Sequence, residues 1–598
     1  MFITKIKRFF LGEPLTWQMA VHQLLPKWKA LAILASDALS SVAYATEEML
    51  IPLAAFSLAA TNWSILIAFG ICLLLIILTL SYRQTIDAYP GGGGAYIVSK
   101  ENLGVNAGLI AGASLLIDYV LTVAVSVAAG VENIVSAFPL LSGHKEFLGA
   151  FFICLLMLLN LRGVKDSANF FVLPTYFFIV SFFLMVFLGF QTSAPPADHA
   201  NLYPELPLFL LFKAFASGCS ALTGIEAISN GIPLFKHPAQ TNAKRTLIWM
   251  SMILGSLFLG MTFLAHRYHL LPKLQETVIS QLAHLVFGNG IFYYLIQLVT
   301  TLILILAANT SYADFPRLSS LLAKDRYLPR QLASVGDRLV FSNGILGLSV
   351  AAILLIVLFE GQTHHLIPLY SIGVFLSFTL SQSGMVLHHC RMKEQGWIFG
   401  LFCNGLGACT TFVILIITST TKFLSGAWMF LLFLPLLVMF FRRIHDHYLA
   451  IGSELALPQG PLSLTPVKHK VLIPISGIHR GVIEALRYAL SISQEVQACY
   501  VEIDPCASER IRLEWAKRAP EIPLVILKSP YRSVLVPFLD HLEKLEKSHD
   551  LITVMIPEFV TSKWWHQILH NQTAFLIRAA LLFRPGKVVT SVRYHLHG

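Results

Sequence analysis

From residue 29 to about residue 441 the chain is a succession of long apolar runs separated by short polar or charged breaks. Runs such as "NWSILIAFGICLLLIILTLSY" and "TKFLSGAWMFLLFLPLLVMFF" reach the ~20 residues that a helix needs to cross a hydrocarbon core of ~30 Å. Twelve such segments are read, near 29–54, 63–83, 104–131, 147–162, 168–190, 209–232, 246–266, 289–310, 341–359, 366–388, 399–418 and 423–441. The pattern predicts a polytopic α-helical membrane protein with 12 transmembrane helices over residues 29–445. A basic amphipathic segment, residues 1–28, precedes them and is expected to lie on the membrane face.

Beyond Arg443 the texture changes. "HKVLIPISGIHRGVIEALRYALSISQEVQACYVEI" reads as strand, helix, strand, because a short apolar run gives way to 3.6-residue periodicity and then to a β-rich run. "IPLVILKSP" and "HDLITVMIPEFV" predict further strands, with "YRSVLVPFLDHLEKLEKS" a helix between them. Residues 446–598 are therefore expected to hold a cytoplasmic, parallel α/β domain. "SGIHRG" is neither a P-loop nor a GxGxxG turn, which favours a regulatory or dimerising role over nucleotide hydrolysis.

Composition agrees with the patterning. Of 598 residues, 56% are hydrophobic and 13% charged, against a charged share of about 25% in soluble proteins. The formal net charge of +10 does not point to nucleic acid, because the basic residues fall in alternate loops. The leader holds Lys5, Lys7, Arg8, Lys27 and Lys29, and the later basic loops hold Arg83 and Lys100, Arg162 and Lys165, Lys236, Lys244 and Arg245, then Arg317, Lys324, Arg326, Arg330 and Arg338. The intervening loops hold only Lys145, Arg267, Lys273 and Lys422. The positive-inside rule places both termini in the cytoplasm of a multi-pass protein. Eight cysteines form no CxxC pair, and "HHC" at 388–390 lacks a second ligand pair at a zinc-like spacing. No cofactor and no catalytic role are expected.

The candidate chemistry lies in acids within the spans. Asp37, Ser40, Ser41 and Tyr44 recur at i, i+3, i+4 and i+7 in the first span; Asp118, Thr122 and Ser126 share a face of the third, with Tyr119 alongside; Thr223, Glu226 and Asn230 share a face of the sixth. A buried charge is expensive in a bilayer and marks a pathway by default. Hydroxyls alone often serve packing, but that does not account for three acids with no Lys or Arg read at similar depth. Oxygen-only ligands suit a hard monovalent cation or a proton. The first and sixth spans are also crowded with small residues, in "SDALSSVAYAT" and "SGCSALTGIEAISNG". These occupy corresponding places in two five-span halves, where an inverted-repeat transporter breaks its helices. "YPGGGGAYIVSKENLG" predicts a tight turn into a short cytoplasmic helix, with a part in gating rather than ligand contact. Two readings stand for Glu47 and Glu48, an exposed helix end or a cation-attracting vestibule. Two also stand for Tyr370, a gate or an interfacial aromatic.

Together "SDALSSVAYATEE", "YPGGGGAYIVSKENLG", "LLIDYVLTVAVS", "SALTGIEAISNGIPLFKHPAQTNAKRTL" and "PLYSIGVFLSFTLSQSGMV" resemble the amino acid–polyamine–organocation (APC) superfamily. Within it they resemble most the KimA branch of the KUP-type potassium importers. The resemblance implies a LeuT-like 5+5 inverted repeat in a bacterial plasma (inner) membrane, and secondary active, proton-coupled potassium import. It implies potassium ligands at Asp37, Tyr44, Asp118, Thr122, Ser126, Thr223 and Tyr370, with the charge supplied by Asp37 and Asp118, and proton coupling at Glu226. It further implies a homodimer joined through the C-terminal domain, and cyclic di-AMP as an inhibitor.

The mechanism so implied is alternating access: potassium enters past Tyr370, sheds water into oxygens of the first, third, sixth and tenth spans, and is accompanied or replaced by a proton. Glu226 is preferred to Asp37 as the proton carrier, because the hydroxyls gather around the aspartates. The rival reading is an amino-acid or polyamine permease of the same fold. Asp37 would repel a substrate carboxylate, so the polyamine is the stronger form of that rival. No TVGYG-type filter supports a channel.

Overall fold

The computed structural model describes residues 24–92, 94–162, 164–192, 204–273, 276–336, 340–393, 395–457, 467–529, 533–561, 566 and 572–596. Most of the amphipathic leader expected at 1–28 lies outside them. Packing divides the chain into two units, Met1–Ala456 and Leu457–Gly598.

Among the described residues, twelve helical spans form the first unit. Ten are long and apolar enough to cross a membrane; the ninth, Ser342–Leu358, is shorter. The first is interrupted, running as Lys27–Leu34, Ser36–Ser40 and Val42–Phe56. Two spans extend well past their expected ends. The eighth runs from Ile291 to Lys324 through Pro316, about 51 Å at 1.5 Å per residue. The twelfth runs from Trp428 to Glu454. Charges at Asp314 and Arg317 end the apolar pattern without ending the helix, since neighbouring spans satisfy what lipid cannot. An apolar helix that patterning missed, Val278–Phe287, fills the connection between the seventh and eighth spans.

The small-residue stretches do interrupt their helices, though unequally. In the sixth span, Leu208–Gly218 tightens into a 3-10 turn at Cys219–Leu222. The chain then extends at Thr223 (φ −70°, ψ 149°) and passes through Gly224 at φ +78° before one more turn, Ala227–Asn230. In the first span Ala35 (φ −101°, ψ −3°) and Ser41 (φ −61°, ψ −23°) stay near helical values. The difference is local chemistry: the sixth span has glycine at the break, which enters the left-handed region without a steric penalty, and the first has only alanine and serine. At their far ends the two are tied by a two-residue bridge. Leu25 N donates to the Leu234 carbonyl at 2.7 Å and Lys236 N to the Leu25 carbonyl at 2.9 Å.

The glycine run does lead into a short helix, Gly94–Asn102. That helix is fixed to the end of the eighth span, where Tyr96 Oη and Lys100 Nζ each donate to Asp325 Oδ2 at 2.6 Å.

The second unit is a doubly wound α/β domain. Five parallel strands, β1 (His469–Ile475), β2 (Glu495–Glu502), β3 (Leu524–Lys528), β4 (Leu551–Val560) and β5 (Lys587–His595), lie in the order β3-β2-β1-β4-β5. Alternation along β1 sends Val471, Ile473 and Ile475 to one face, against Val482, Leu486 and Trp515, and Leu472 to the other, against Phe538, Leu542 and Ile577. β5 is the strand patterning missed: none of "KVVTSVRYH" is buried, and it lacks the apolar run that marks β1 and β2. The strand order reverses between β1 and β4, so the carboxyl end of β1, beside residues 476–479, is the topological switch point of the sheet.

Candidate functional site

The break in the sixth span is pressed against the acid of the first. A Cβ added to Gly224 would stand 2.5 Å from Asp37 Oδ2 and 3.0 Å from the Ala38 nitrogen, so only glycine lets the unwound backbone approach that carboxyl group. Ser41 completes the contact, its Oγ lying 2.5 Å from the Ala38 carbonyl and 3.1 Å from that of Ala221 across the break. Ser40 Oγ donates to the Asp37 carbonyl at 2.8 Å. These serines therefore brace the helices, as packing hydroxyls do.

The third and tenth spans meet at Asp118. Ser114 Oγ donates to the Gly373 carbonyl at 2.8 Å, and a Cβ on Gly373 would lie 3.4 Å from Asp118 Cβ. Thr122 and Ser126 are buried one and two turns further along the third span. Tyr370, one turn before Gly373, is 1% exposed, which no interfacial aromatic would be. It stands beside Thr223 and within electrostatic reach of Asp37, Tyr44 and Asp118. Asp118 is in turn within reach of Glu226 and Asp37. Thr223 donates its hydroxyl to the Ser220 carbonyl at 2.9 Å.

Asp37, Asp118 and Glu226 are each no more than 5% exposed. Each holds one carboxyl oxygen, Oδ1, Oδ1 and Oε2 respectively, with no hydrogen-bond partner among the described residues. Buried polar atoms are normally paired, and an unpaired buried carboxylate is a large penalty. Three such oxygens, within electrostatic reach of one another beside the sixth-span break, are an oxygen-only set, here called the cage, whose chemistry suits a positive guest.

Two turns beyond Asp37, Tyr44 also lines a cavity of about 920 Å³ whose walls include Glu47, Glu48, Glu132 and Glu276. Glu47 and Glu132 serve as caps there. Glu47 Oε2 accepts from the Val278 nitrogen at 3.1 Å, and Glu132 Oε1 from the Thr363 nitrogen at 3.0 Å, each at a helix start. Glu47 is thus both vestibule wall and cap, a combination neither sequence reading offered.

The other side is closed. Asn230 Nδ2 donates to the Tyr119 hydroxyl at 2.8 Å and to Asp314 Oδ2 at 3.4 Å, and its own carbonyl accepts from Arg317 Nη1 at 2.8 Å. The glycine run packs on the same residue: a Cβ on Gly94 would fall 1.8 Å from Asn230 Oδ1, and one on Gly92 2.6 Å from its carbonyl oxygen.

Two corrections follow to the picture of acids without buried cations. Lys422, read as a loop residue, is 5% exposed, with Nζ lacking a hydrogen-bond partner among the described residues and Glu48 within electrostatic reach. Arg317, assigned to a loop, lies inside the eighth span, as does the buried acid Asp314, which falls beyond that span's expected end. The apolar continuation "LSSLLA" beyond Pro316 was the signal for both.

A membrane unit whose first and sixth spans break around a shared site is of permease type, and residues 25–441 match the family described as amino acid permease. Residues 467–594 match the KimA potassium transporter C-terminal domain. The chain is 48% identical over 605 residues to the potassium transporter KimA of Bacillus subtilis (strain 168), covering 99% of each. It is 23% identical over 279 residues to the low-affinity putrescine importer PlaP of Escherichia coli, in strains K12 and O157:H7, covering 44% of this chain and 60% of that one. The chain belongs to the KimA family within the permeases.

Proposed function

We propose that this protein imports potassium across a bacterial plasma membrane by alternating access, coupled to protons in symport. The observation that carries the reading is the set of unpartnered carboxyl oxygens on Asp37, Asp118 and Glu226 at the sixth-span break. Potassium, entering from the acidic vestibule, exchanges water for oxygens of Asp37, Tyr44, Asp118, Thr122, Ser126, Thr223 and Tyr370. The two aspartates offset its desolvation. Glu226, facing the cage from the other side of the break, carries the proton. The basic loops place the glycine-run face in the cytoplasm and the vestibule outside. In this reading the first and sixth spans move with their inverted-repeat partners against the third, eighth and tenth.

The C-terminal domain acts in regulation. Its strand-order reversal beside residues 476–479 is where such sheets take nucleotides, and cyclic di-AMP with a homodimeric arrangement is the form we propose.

The test is uptake by the full chain in proteoliposomes containing a pH-sensitive dye. Adding external potassium should move potassium inward and acidify the lumen. Glu226→Gln should lose the acidification, and Asp118→Asn should lose both. Potassium entry without proton movement would remove the coupling, and uptake unaffected by Asp118→Asn would remove the site.

A further inference from the structure

The closed side of the cage contains more than a seal. A chamber of about 10 Å³ is lined by Tyr119, Asn230, Asp314 and Arg317 together with three leucines, room for one water or one dehydrated monovalent cation. Asp314 is 3% exposed and Asn230 6%. Each has one oxygen, Oδ1 in both cases, with no hydrogen-bond partner among the described residues. Asp314 keeps this unpartnered oxygen although the Arg317 guanidinium sits one turn further along the same helix. Arg317 instead donates to the Asn230 carbonyl. Asp314 is also within electrostatic reach of Asp37 and Glu226, so the acids continue without interruption from the cage toward the glycine-run face.

The residues around the chamber come from elements that must separate if the closed side is to open. Asn230 ends the broken sixth span, Tyr119 belongs to the third, Asp314 and Arg317 to the eighth, and the glycine run packs on Asn230 from outside the chamber. A half-buried guanidinium held by a carbonyl on a movable half-helix is a tethered cation at the exit. It blocks a second cation while the hydrogen bond stands and withdraws when the half-helix moves.

We propose that Asp314 is a transit site for the permeating monovalent cation between the cage and the glycine-run face, and that the Arg317–Asn230–Tyr119 hydrogen bonds are the latch that closes it. The proposal rests on the potassium-transport reading above. It assigns Asp314 a role in release rather than in binding from outside. Asp314→Asn separates this from a structural role, because the amide keeps an acceptor for Asn230 and removes only the charge.

The experiment uses the full chain with rubidium as the probe, measuring equilibrium binding to purified protein and initial uptake into proteoliposomes. Asp314→Asn is expected to bind rubidium within about twofold of the parent while uptake falls about tenfold or more. Asp314→Glu, which restores the charge, should recover part of that loss. Uptake of Asp314→Asn within about twofold of the parent overturns the transit site, and so does a loss of binding as large as the loss of uptake. The latch is read separately. Arg317→Gln should speed rubidium leak from loaded vesicles severalfold, and a leak equal to the parent's overturns it. A parent that binds no rubidium overturns the potassium reading and this proposal with it; a transporting parent matched by Asp314→Asn overturns the proposal alone.

Discussion

The two mouths of the membrane unit are built on opposite plans. At one, a cavity of about 920 Å³ is walled by four glutamates, two of them capping helix starts. At the other, a space of about 10 Å³ is pinned by three hydrogen bonds to Asn230 and covered by glycines that tolerate no side chain. Each mouth also holds one cation, Lys422 buried near the open one and Arg317 half-buried at the closed one. The contrast teaches that the acids do different work according to what faces them. Two vestibule glutamates, Glu47 and Glu132, are satisfied by backbone N–H groups. The cage acids and Asp314 keep an oxygen free, which is what an exchangeable guest requires.

Four substitutions probe this contrast, from the largest expected effect to the smallest. In the cage, Asp37→Asn and Asp118→Asn should each abolish uptake, by about a hundredfold or more, because nothing else offsets desolvation of the ion; rubidium uptake in proteoliposomes checks it. At the closed mouth, Gly94→Ala forces a Cβ onto Asn230 at a backbone φ of +49°. Strain and overpacking together should cost about 2–4 kcal/mol, read as a lowered melting temperature of the detergent-solubilised protein and as vesicle leak. At the open mouth, Glu132→Gln keeps an acceptor for the Thr363 nitrogen but loses the charge at a helix start. About 0.3–1 kcal/mol of stability should go, and the apparent potassium affinity should weaken more at low ionic strength than at high, as screening requires. The smallest change is expected for Lys422→Met, since replacing a buried charge by an apolar side chain of similar volume is often neutral or stabilising. Its melting temperature should hold or rise, and a clear fall would show that Lys422 has a structural partner.

The sequence carried most of the fold and much of the cage, for physical reasons that also explain its gaps. Lipid imposes long apolar runs, so twelve spans could be counted, and the small-residue crowding at the sixth span did mark its break. Glycine made that break deep at Thr223–Gly224, while the alanines and serines of the first span left it nearly helical. The helical spacing that grouped Asp118 with Thr122 and Ser126 holds, since all three are buried along one helix. Asp314 and Arg317 were missed because hydropathy reads charges as the end of a span, whereas this helix continues past them. Lys422 does stand between two spans, and it was its burial that patterning could not give. Tyr370 could not be decided by periodicity, because a gate and an interface anchor occupy the same turn of helix. Only its burial separates them. In the C-terminal domain, β1 to β4 were legible as apolar runs, and β5, with no buried position, was not.

The central claim is that the buried acids await a potassium ion rather than an organic amine, the alternative raised by the distant likeness to a putrescine importer. The most direct measurement is competition for bound rubidium on the purified full chain, with potassium and putrescine added separately. Displacement by potassium, with putrescine inert at concentrations far higher, is the predicted result, and it should vanish with Asp118→Asn. Displacement by putrescine in preference to potassium would contradict the account.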